Sequence, residues 1–388
     1  MLKHLHTNAF LYFLDLLNQI LKQAIYPPDW KTAIIIPILK PGADPLQRSS
    51  YRPISLTSVL GKTFEKILNK RLVWFLESNN FLSIHQYGFR KGRNTLQALV
   101  DLQAEINEAF TTNSSCYTIF FDIKEAYPKV WRHLICQKLF ESGLRGNLPK
   151  VIQSFLTDRY LTVRIQDQLS TPLTVENGVP QGSVLSVFLF LIAIDNIVLN
   201  IPFPLKQRLF ADDFSVSLQS SNPTRARRLL QDTLNKLTEW ATNSGFSFSL
   251  KKTKLVISKK NLPLLDPLTL DGCPIPQVNS IILLGLQLDQ KLTWTLHVKN
   301  LKAKCQRTLN ILRYISKRNT GCNRKILLTL YRSLIRSRID YGSPVYGLAP
   351  QSTLRLLDPI QSASLRLVTG AFPTSPVISL CAEVAEPP

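Results

Sequence analysis

The sequence predicts an α+β chain of two or three lobes, and three observations carry that reading. Residues 116 to 260 alternate strand-like and helix-like stretches, whereas the chain beyond the Pro-rich run Pro263–Pro267 becomes mostly helical. Two carboxylates, Asp212 and Asp213, sit between the apolar alternations Arg208-Leu209-Phe210 and Phe214 to Leu218, the pattern of a β-hairpin with an acidic tip. The chain has 388 residues, 45% of them hydrophobic, enough to bury a substantial core but long for one compact unit.

Each element follows from local pattern. Asn8 to Ile25 spaces Leu11, Leu14, Leu17 and Leu21 as an amphipathic helix without the features of a signal peptide. Lys31 to Lys40 reads as a strand, Pro41-Gly42-Ala43-Asp44-Pro45 as a turn, and Gly61 to Phe75 as a helix with Phe64, Ile67, Leu68, Leu72 and Phe75 apolar. Tyr117 to Asp122 is a β-branched and aromatic run entered from the turn-rich Thr111 to Ser115, hence a buried strand that presents Asp122 at its end. From Lys124 to Phe140 the pattern turns toward helix. Val184 to Ile194 has one polar member, Ser186, and is far short of the ~20 residues of a membrane span, so it predicts a core helix. Val298, Leu301, Cys305, Leu309, Leu312 and Ile315 form one helical stripe with Lys302, Lys304, Arg307 and Arg313 around it; a second helix is expected over Arg324 to Ile339. The expected divisions are 1–29 as a helical extension, 30–115, 116–260, 261–345 and 346–388.

Adjacent carboxylates repel unless a cation shares them. A divalent metal suits that role, and hard oxygen ligands favour Mg²⁺, with Mn²⁺ as the substitute. Asp122, delivered by a neighbouring strand, would complete a cage for two ions about 3.5–4 Å apart, an arrangement that serves phosphoryl or nucleotidyl transfer. Taken singly, Asp212-Asp213 also fits a solvated turn and Asp122 a helix N-cap. The 47 basic and 26 acidic residues give a formal charge of +21, which favours a polyanionic partner, nucleic acid first. Six scattered cysteines contain no CxxC pair, which argues against a disulfide framework or zinc site and for a reducing, intracellular compartment.

Several segments, in order, resemble the reverse transcriptases of non-LTR retrotransposons, jockey-like elements in particular. Phe121-Asp122-Ile123-Lys124-Glu125-Ala126-Tyr127 is similar to their first catalytic motif, Asn177 to Ser186 to their Pro-Gln-Gly motif, and Phe210-Ala211-Asp212-Asp213 to their second catalytic motif. Ser50 to Leu56 and Gln86 to Gly92 resemble their fingers motifs, and Leu284 to Asp289 with Leu292-Thr293-Trp294 their primer grip and thumb. The resemblance implies a right-hand polymerase fold, with fingers over 30–115, an antiparallel palm sheet on helices over 116–260, primer grip and helical thumb over 261–345, and a connector over 346–388. It implies Asp122, Asp212 and Asp213 as catalytic metal ligands for two Mg²⁺ ions. Lys40, Arg52, Tyr127, Gln181 and Lys252 fall at deoxynucleoside triphosphate positions, with Tyr127 as a steric gate and Lys252 near the pyrophosphate. Arg90, Lys91, Gly182, Gly285, Lys302 and Arg307 fall at nucleic-acid positions. Without the resemblance, Lys40 and Arg52 read as surface charge and the basic helix faces as solvated. The implied partners are an RNA template, a DNA primer and deoxynucleoside triphosphates, with no membrane, in the nucleus or a cytoplasmic ribonucleoprotein.

The sequence departs from the family pattern at Glu125, where Lys is usual, at Pro128, where Asp is usual, and at Val187, where Pro is usual. Pro128 fixes φ and removes a donor close to the expected site. The chain begins almost at the fingers, and Thr369 to Pro376 resembles the connector before an RNase H domain, so a fragment or decayed insertion is expected. Two other readings stand beside the polymerase: an inactive remnant that only binds nucleic acid, and an intron-maturase-like RNA-folding protein. A primer-extension assay separates the first, and binding to intron RNA the second.

Overall fold

Asp122 sits at the end of a fully buried strand in the middle of an antiparallel sheet, and the rest of the fold is built around that strand. The computed structural model describes residue 4 and residues 6–259, 266–316 and 321–387. The Pro263–Leu265 part of the expected Pro-rich boundary lies outside the described residues, as does the 260/261 division.

In chain order the elements begin with α1 (Thr7–Gln23), β1 (Thr32–Leu39), β2 (Tyr51–Leu56), α2 (Val59–Ser78), α3 (Thr95–Thr111) and β3 (Ser115–Phe121). They continue with α4 (Arg132–Glu141), α5 (Asn147–Leu156), β4 (Arg159–Ile165), β5 (Gln168–Leu169), β6 (Leu173–Val175) and α6 (Leu185–Ile194). Then come β7 (Lys206–Phe210), β8 (Asp213–Ser220), α7 (Pro223–Ser244), β9 (Lys254–Ser258), β10 (Thr269–Leu270) and β11 (Cys273–Pro274). A hairpin of β12 (Ser280–Leu283) and β13 (Leu286–Asp289) leads into α8 (Thr295–Ile315) and α9 (Arg324–Tyr331). A π-helical turn, Arg332–Arg336, joins α9 to α10 (Ser337–Asp340), so the expected helix over 324–339 is continuous but widened and under-wound at its centre. Short helices α11 (Ser343–Tyr346) and α12 (Gln351–Leu354) precede α13 (Asp358–Thr369) and α14 (Val377–Val384).

The central sheet has the order β7-β8-β3-β9, all pairs antiparallel. Because side chains alternate along β3, Tyr117, Ile119 and Phe121 enter one hydrophobic core with α4, α6 and α7. Cys116 and Phe120 enter a second core with Val256, α3 and α8. The sheet is therefore gripped on both faces, which explains why β3 reads as a continuous apolar run rather than an alternation. Helix α6 is buried at every position from Leu185 to Ile194 except Val187.

The other large sheet has the order β2-β1-β4, with β5 and β6 pairing β4. Here β1 runs parallel to β4, Thr32 opposite Tyr160 through Ile35 opposite Val163. The span 116–260 is thus divided between two sheets, since residues 159–175 complete the first lobe. Helix α3, from the first lobe's sequence, packs on the central sheet: Arg208 of β7 is buried against its Glu105 at 2.6 Å and Asp101 at 2.5 Å. Two helix expectations shift. Residues 124–129 form turns, and α4 begins only at Arg132. In α1 it is Leu17 and Ile20 that are buried, while Leu11 and Leu14 stay exposed, because the helix is covered on one edge only, along α5. Among the described residues no helix is long and apolar enough to cross a membrane.

Candidate active site

The register of the central sheet brings the three acids to one corner. Phe121 pairs with Phe214 across β3 and β8, so the next residues outward are Asp122 and Asp213. Phe210 pairs with Asp213 across the hairpin, leaving Ala211 and Asp212 as a two-residue turn. Ala211 has φ +56°, a left-handed value that such turns usually give to glycine, so the tip carries backbone strain. All three aspartates line one cavity of ≈ 2050 Å³.

Electrostatic crowding marks this corner. Loss of water in the cavity raises the Asp213 carboxyl to about 6, with the charges of Asp212 and Asp122 adding to the shift. Asp212 is raised for the same first reason and by Asp122, against its own backbone N–H and Lys252. Both side chains still touch water along the cavity. That water screens the charges of the corner. Lys252 places Nζ 3.2 Å from each oxygen of Asp122. Among the described residues no three acidic, histidine or cysteine side chains are drawn together in ligating geometry. Among the described residues the three acids thus share one corner without forming a closed cage, and Lys252 holds Asp122. The donor set is nonetheless all oxygen, and the crowding it shows is what a divalent cation relieves, so the residues fit Mg²⁺ or Mn²⁺.

The hairpin tip is held from outside by the segment His85 to Gly88. Tyr87 N–H donates to the Leu209 carbonyl at 2.7 Å and Leu209 N–H to the His85 carbonyl at 2.9 Å. The fully buried Gln86 accepts, through Oε1, the N–H of Gly88 at 2.8 Å and of Ala211 at 3.1 Å. A Cβ on Gly88 would lie 2.6 Å from the Ala211 nitrogen. Gly88 is required for this close approach to the acidic hairpin.

A second clamp shapes the Pro-Gln-Gly loop. Val179 N–H donates to the Tyr127 carbonyl at 3.0 Å, and Arg132 donates to the carbonyls of Val175, Asn177 and Gly178. Ser55 N–H donates to the Gln181 carbonyl at 2.8 Å, while a Cβ on Gly182, φ +133°, would meet the Ser55 carbonyl at 2.6 Å. Glu65, fully buried on α2, accepts from Ser183 Oγ at 2.5 Å, Val184 N–H at 2.7 Å and Leu185 N–H at 3.3 Å. A carboxylate here satisfies the orphan donors at the start of α6. Pro128 is accommodated by packing against Gly178, whose Cβ would lie 2.5 Å from its carbonyl oxygen.

The remaining predicted residues divide. Lys40, Arg52, Tyr127, Gln181, Gly182 and Lys252 line the same cavity as the aspartates. Tyr127 stacks on Phe190 with ring centroids 4.8 Å apart, and Lys40 Nζ donates to the Ser49 carbonyl at 2.7 Å. Gly285, φ +85°, forms the β12–β13 turn against the Tyr341 ring, and its neighbour Leu284 reaches the cavity. Lys91 and Arg307 are exposed and Lys302 half-buried on α8. Arg90 is different. Its side chain is 8% exposed, and the guanidinium bonds both oxygens of Glu77 at 2.9 and 2.6 Å and donates to the carbonyls of Leu82 and Ser83. With these donors committed inside the first lobe, it serves there as a structural clamp.

Sequence reasoning missed Gln86, Arg132 and Glu65. Glu65 carried a usable signal: it lies on the same helical face as Leu68 and Leu72, where an acid must find buried donors.

Residues 38–288 match the family described as "Reverse transcriptase (RNA-dependent DNA polymerase)". Over 374 residues the chain is 31% identical to the "Probable RNA-directed DNA polymerase from transposon X-element" of Drosophila melanogaster, covering 95% of this chain and 41% of that protein. It is 29% identical over 372 residues to the "RNA-directed DNA polymerase from mobile element jockey" of the same fly, covering 93% and 40%. The chain spans less than half the length of these curated relatives. The solved structure of apo telomerase from Candida tropicalis superposes with a TM-score of 0.52 at 12% identity, covering 96% of this chain and 64% of that one. That likeness is one of fold, the right-hand polymerase fold.

Proposed function

The chain belongs to the reverse transcriptase family, and from that membership we propose that it extends a DNA primer along an RNA template, as part of a jockey-like retrotransposon. The observation that carries this reading is the convergence of Asp122, Asp212 and Asp213 on one cavity that Lys40 and Arg52 enter from the first lobe. Asp122, Asp212 and Asp213 would hold two divalent ions, Mg²⁺ by donor chemistry. When bound, such ions supply acidification of a primer 3′-hydroxyl and charge neutralisation at the α-phosphate and pyrophosphate.

The chain's own residues account for the rest. Arg52 offers a planar, multidentate donor set and Lys40 a compact charge, both suited to a triphosphate. Tyr127, braced by Phe190, presents an aromatic edge beside Asp212, where a ring beneath the sugar would exclude a 2′-hydroxyl. Gln181 and Gly182, pinned to Ser55, would support the nascent pair, and Lys252 would stand by the leaving group. Leu284 and Gly285 would steady the primer end, with Lys91 on the template strand and Lys302 and Arg307 on the duplex backbone.

Primed poly(rA) with dTTP and Mg²⁺ tests the proposal. Asp212→Asn should abolish extension while leaving template affinity within about twofold, since the other positive charges remain. Extension by that variant at the parental rate would overturn the assignment. Template binding without extension by the parental protein would leave the inactive-remnant reading.

A further inference from the structure

Helix α2 carries a second surface suited to nucleic acid, remote in its lining from the catalytic cavity. Its only acids are Glu65 and Glu77, and both are withdrawn: Glu65 is fully buried and Glu77 is held by Arg90. What α2 presents outward is basic. Lys62, Lys66 and Lys70 follow one another at four-residue spacing, with Trp74 next in the row and Arg71 alongside. Lys66, Lys70, Arg71 and Trp74 are all exposed, and none of these cations forms an ion pair among the described residues. Four residues of helix advance the row by ~6 Å, close to the interval between phosphates of an extended single strand.

The row ends in a groove of ≈ 390 Å³ lined by Lys70, Arg71, Trp74, Phe75, Leu144 and Leu148, none of which lines the catalytic cavity. Trp74 is 70% exposed at its edge. On the Leu144 side, Arg145 sits 4.1 Å from the centroid of the Phe140 ring, itself 65% exposed. Large aromatic faces left in water beside unpaired cations are costly for a monomer's surface and match the stacking platforms and phosphate contacts of single-strand binders.

We propose that this α2 groove is a second, non-catalytic site for single-stranded RNA, with Lys66 and Lys70 on consecutive phosphates and a base stacked on Trp74. The four cations along α2 and the lack of any free acid on it favour the polyanion.

The test uses the full chain with its cleft saturated by an unlabelled RNA–DNA primer–template hairpin, and a short fluorescein-labelled single-stranded RNA as probe. The parental protein should bind the probe, and ultraviolet crosslinking should attach it to the peptide containing Trp74, a readout that needs no variant. Lys66→Glu with Lys70→Glu should weaken probe binding at least tenfold and lower the log–log salt slope by about 1.4, two contacts at ~0.7 each. Trp74→Ala should weaken it about fivefold or more, and Trp74→Phe should retain most of the affinity. Extension of a short preformed primer–template should not change in these variants. Probe binding that persists when extension is absent separates this proposal from the polymerase reading. Unchanged affinity and slope in the double charge reversal overturns the proposal. So does a variant that keeps RNA binding but loses self-association in sedimentation, which would assign the face to protein.

Discussion

Replacing Arg90 with alanine separates a structural clamp from a template contact. The guanidinium makes two bonds to Glu77 and two to backbone carbonyls, with its own side chain 8% exposed and that of Glu77 31%. Removing one member of a buried ion pair costs ~3–5 kcal/mol because the survivor stays desolvated. Glu77 is exposed enough to regain water, which brings the expected loss down to about 2–3 kcal/mol at neutral pH. Arg90 holds the Glu77 carboxyl below its usual range, through the hydrogen bond first, against a contrary push from burial. A carboxyl depressed on folding contributes stability above its unfolded pKa and loses it as pH falls through the folded value. The penalty of Arg90→Ala should therefore be largest at neutral pH and shrink in acid. Thermal unfolding followed by tryptophan fluorescence should show a midpoint lower by on the order of 5 °C. Arg90→Lys should restore little, since an ammonium cannot reproduce the bidentate fork. Template affinity should stay within twofold, with an unchanged salt slope. An unaltered melting midpoint together with a salt slope reduced by about 0.7 would show that Arg90 does meet the template and that the clamp is idle.

Two further outcomes follow from the acidic corner. Asp213 has its carboxyl raised to about 6 on folding, so its contribution to stability is fully present below its unfolded pKa and is lost as pH rises through about 6. Asp213→Asn should therefore stabilise the protein above pH 6 in a chelating buffer, by on the order of 1 kcal/mol after allowance for solvent screening, and give no gain near pH 4. Equal melting shifts at both pH values would contradict this. Gln86→Ala removes the acceptor of the Ala211 and Gly88 N–H groups, and a misplaced hairpin tip should lower kcat at least tenfold while KM for dTTP and template affinity stay within twofold. A normal kcat in a folded Gln86→Ala protein would remove Gln86 from the positioning of Asp212.

Much of this architecture was legible because it is local. The buried strand before Asp122, the acidic hairpin, the apolar helix 185–194 and the stripe of α8 each announce themselves through period and composition within one window. What escaped is pairing. Nothing within Arg159 to Ile165 says that it lies parallel to Thr32–Ile35, because period two specifies a strand and not its neighbour. Arg90 shows a related limit: a basic residue between two glycines has the composition of a phosphate contact, and only its neighbour Glu77 in space reveals the clamp. The stripe of α1 was read correctly as amphipathic, yet burial depends on what covers a helix, and α5 covers only an edge of it.

The bonds that shape the corner are all of the illegible kind. Gln86 reaches Ala211 across 125 residues of sequence, Glu65 reaches Ser183 across 118, and Lys252 reaches Asp122 across 130. Two of the three start in the first lobe, one fixing the acidic hairpin and the other the loop at the head of α6. The two hydrophobic cores hold the central sheet by burial, which tolerates exchange of one apolar side chain for another of similar volume. A buried glutamine or glutamate has no such substitute, because losing it strands donors that nothing else can reach. The sheet can therefore persist with a distorted corner, and damage to the first lobe should disable chemistry well before it unfolds the sheet that carries Asp122.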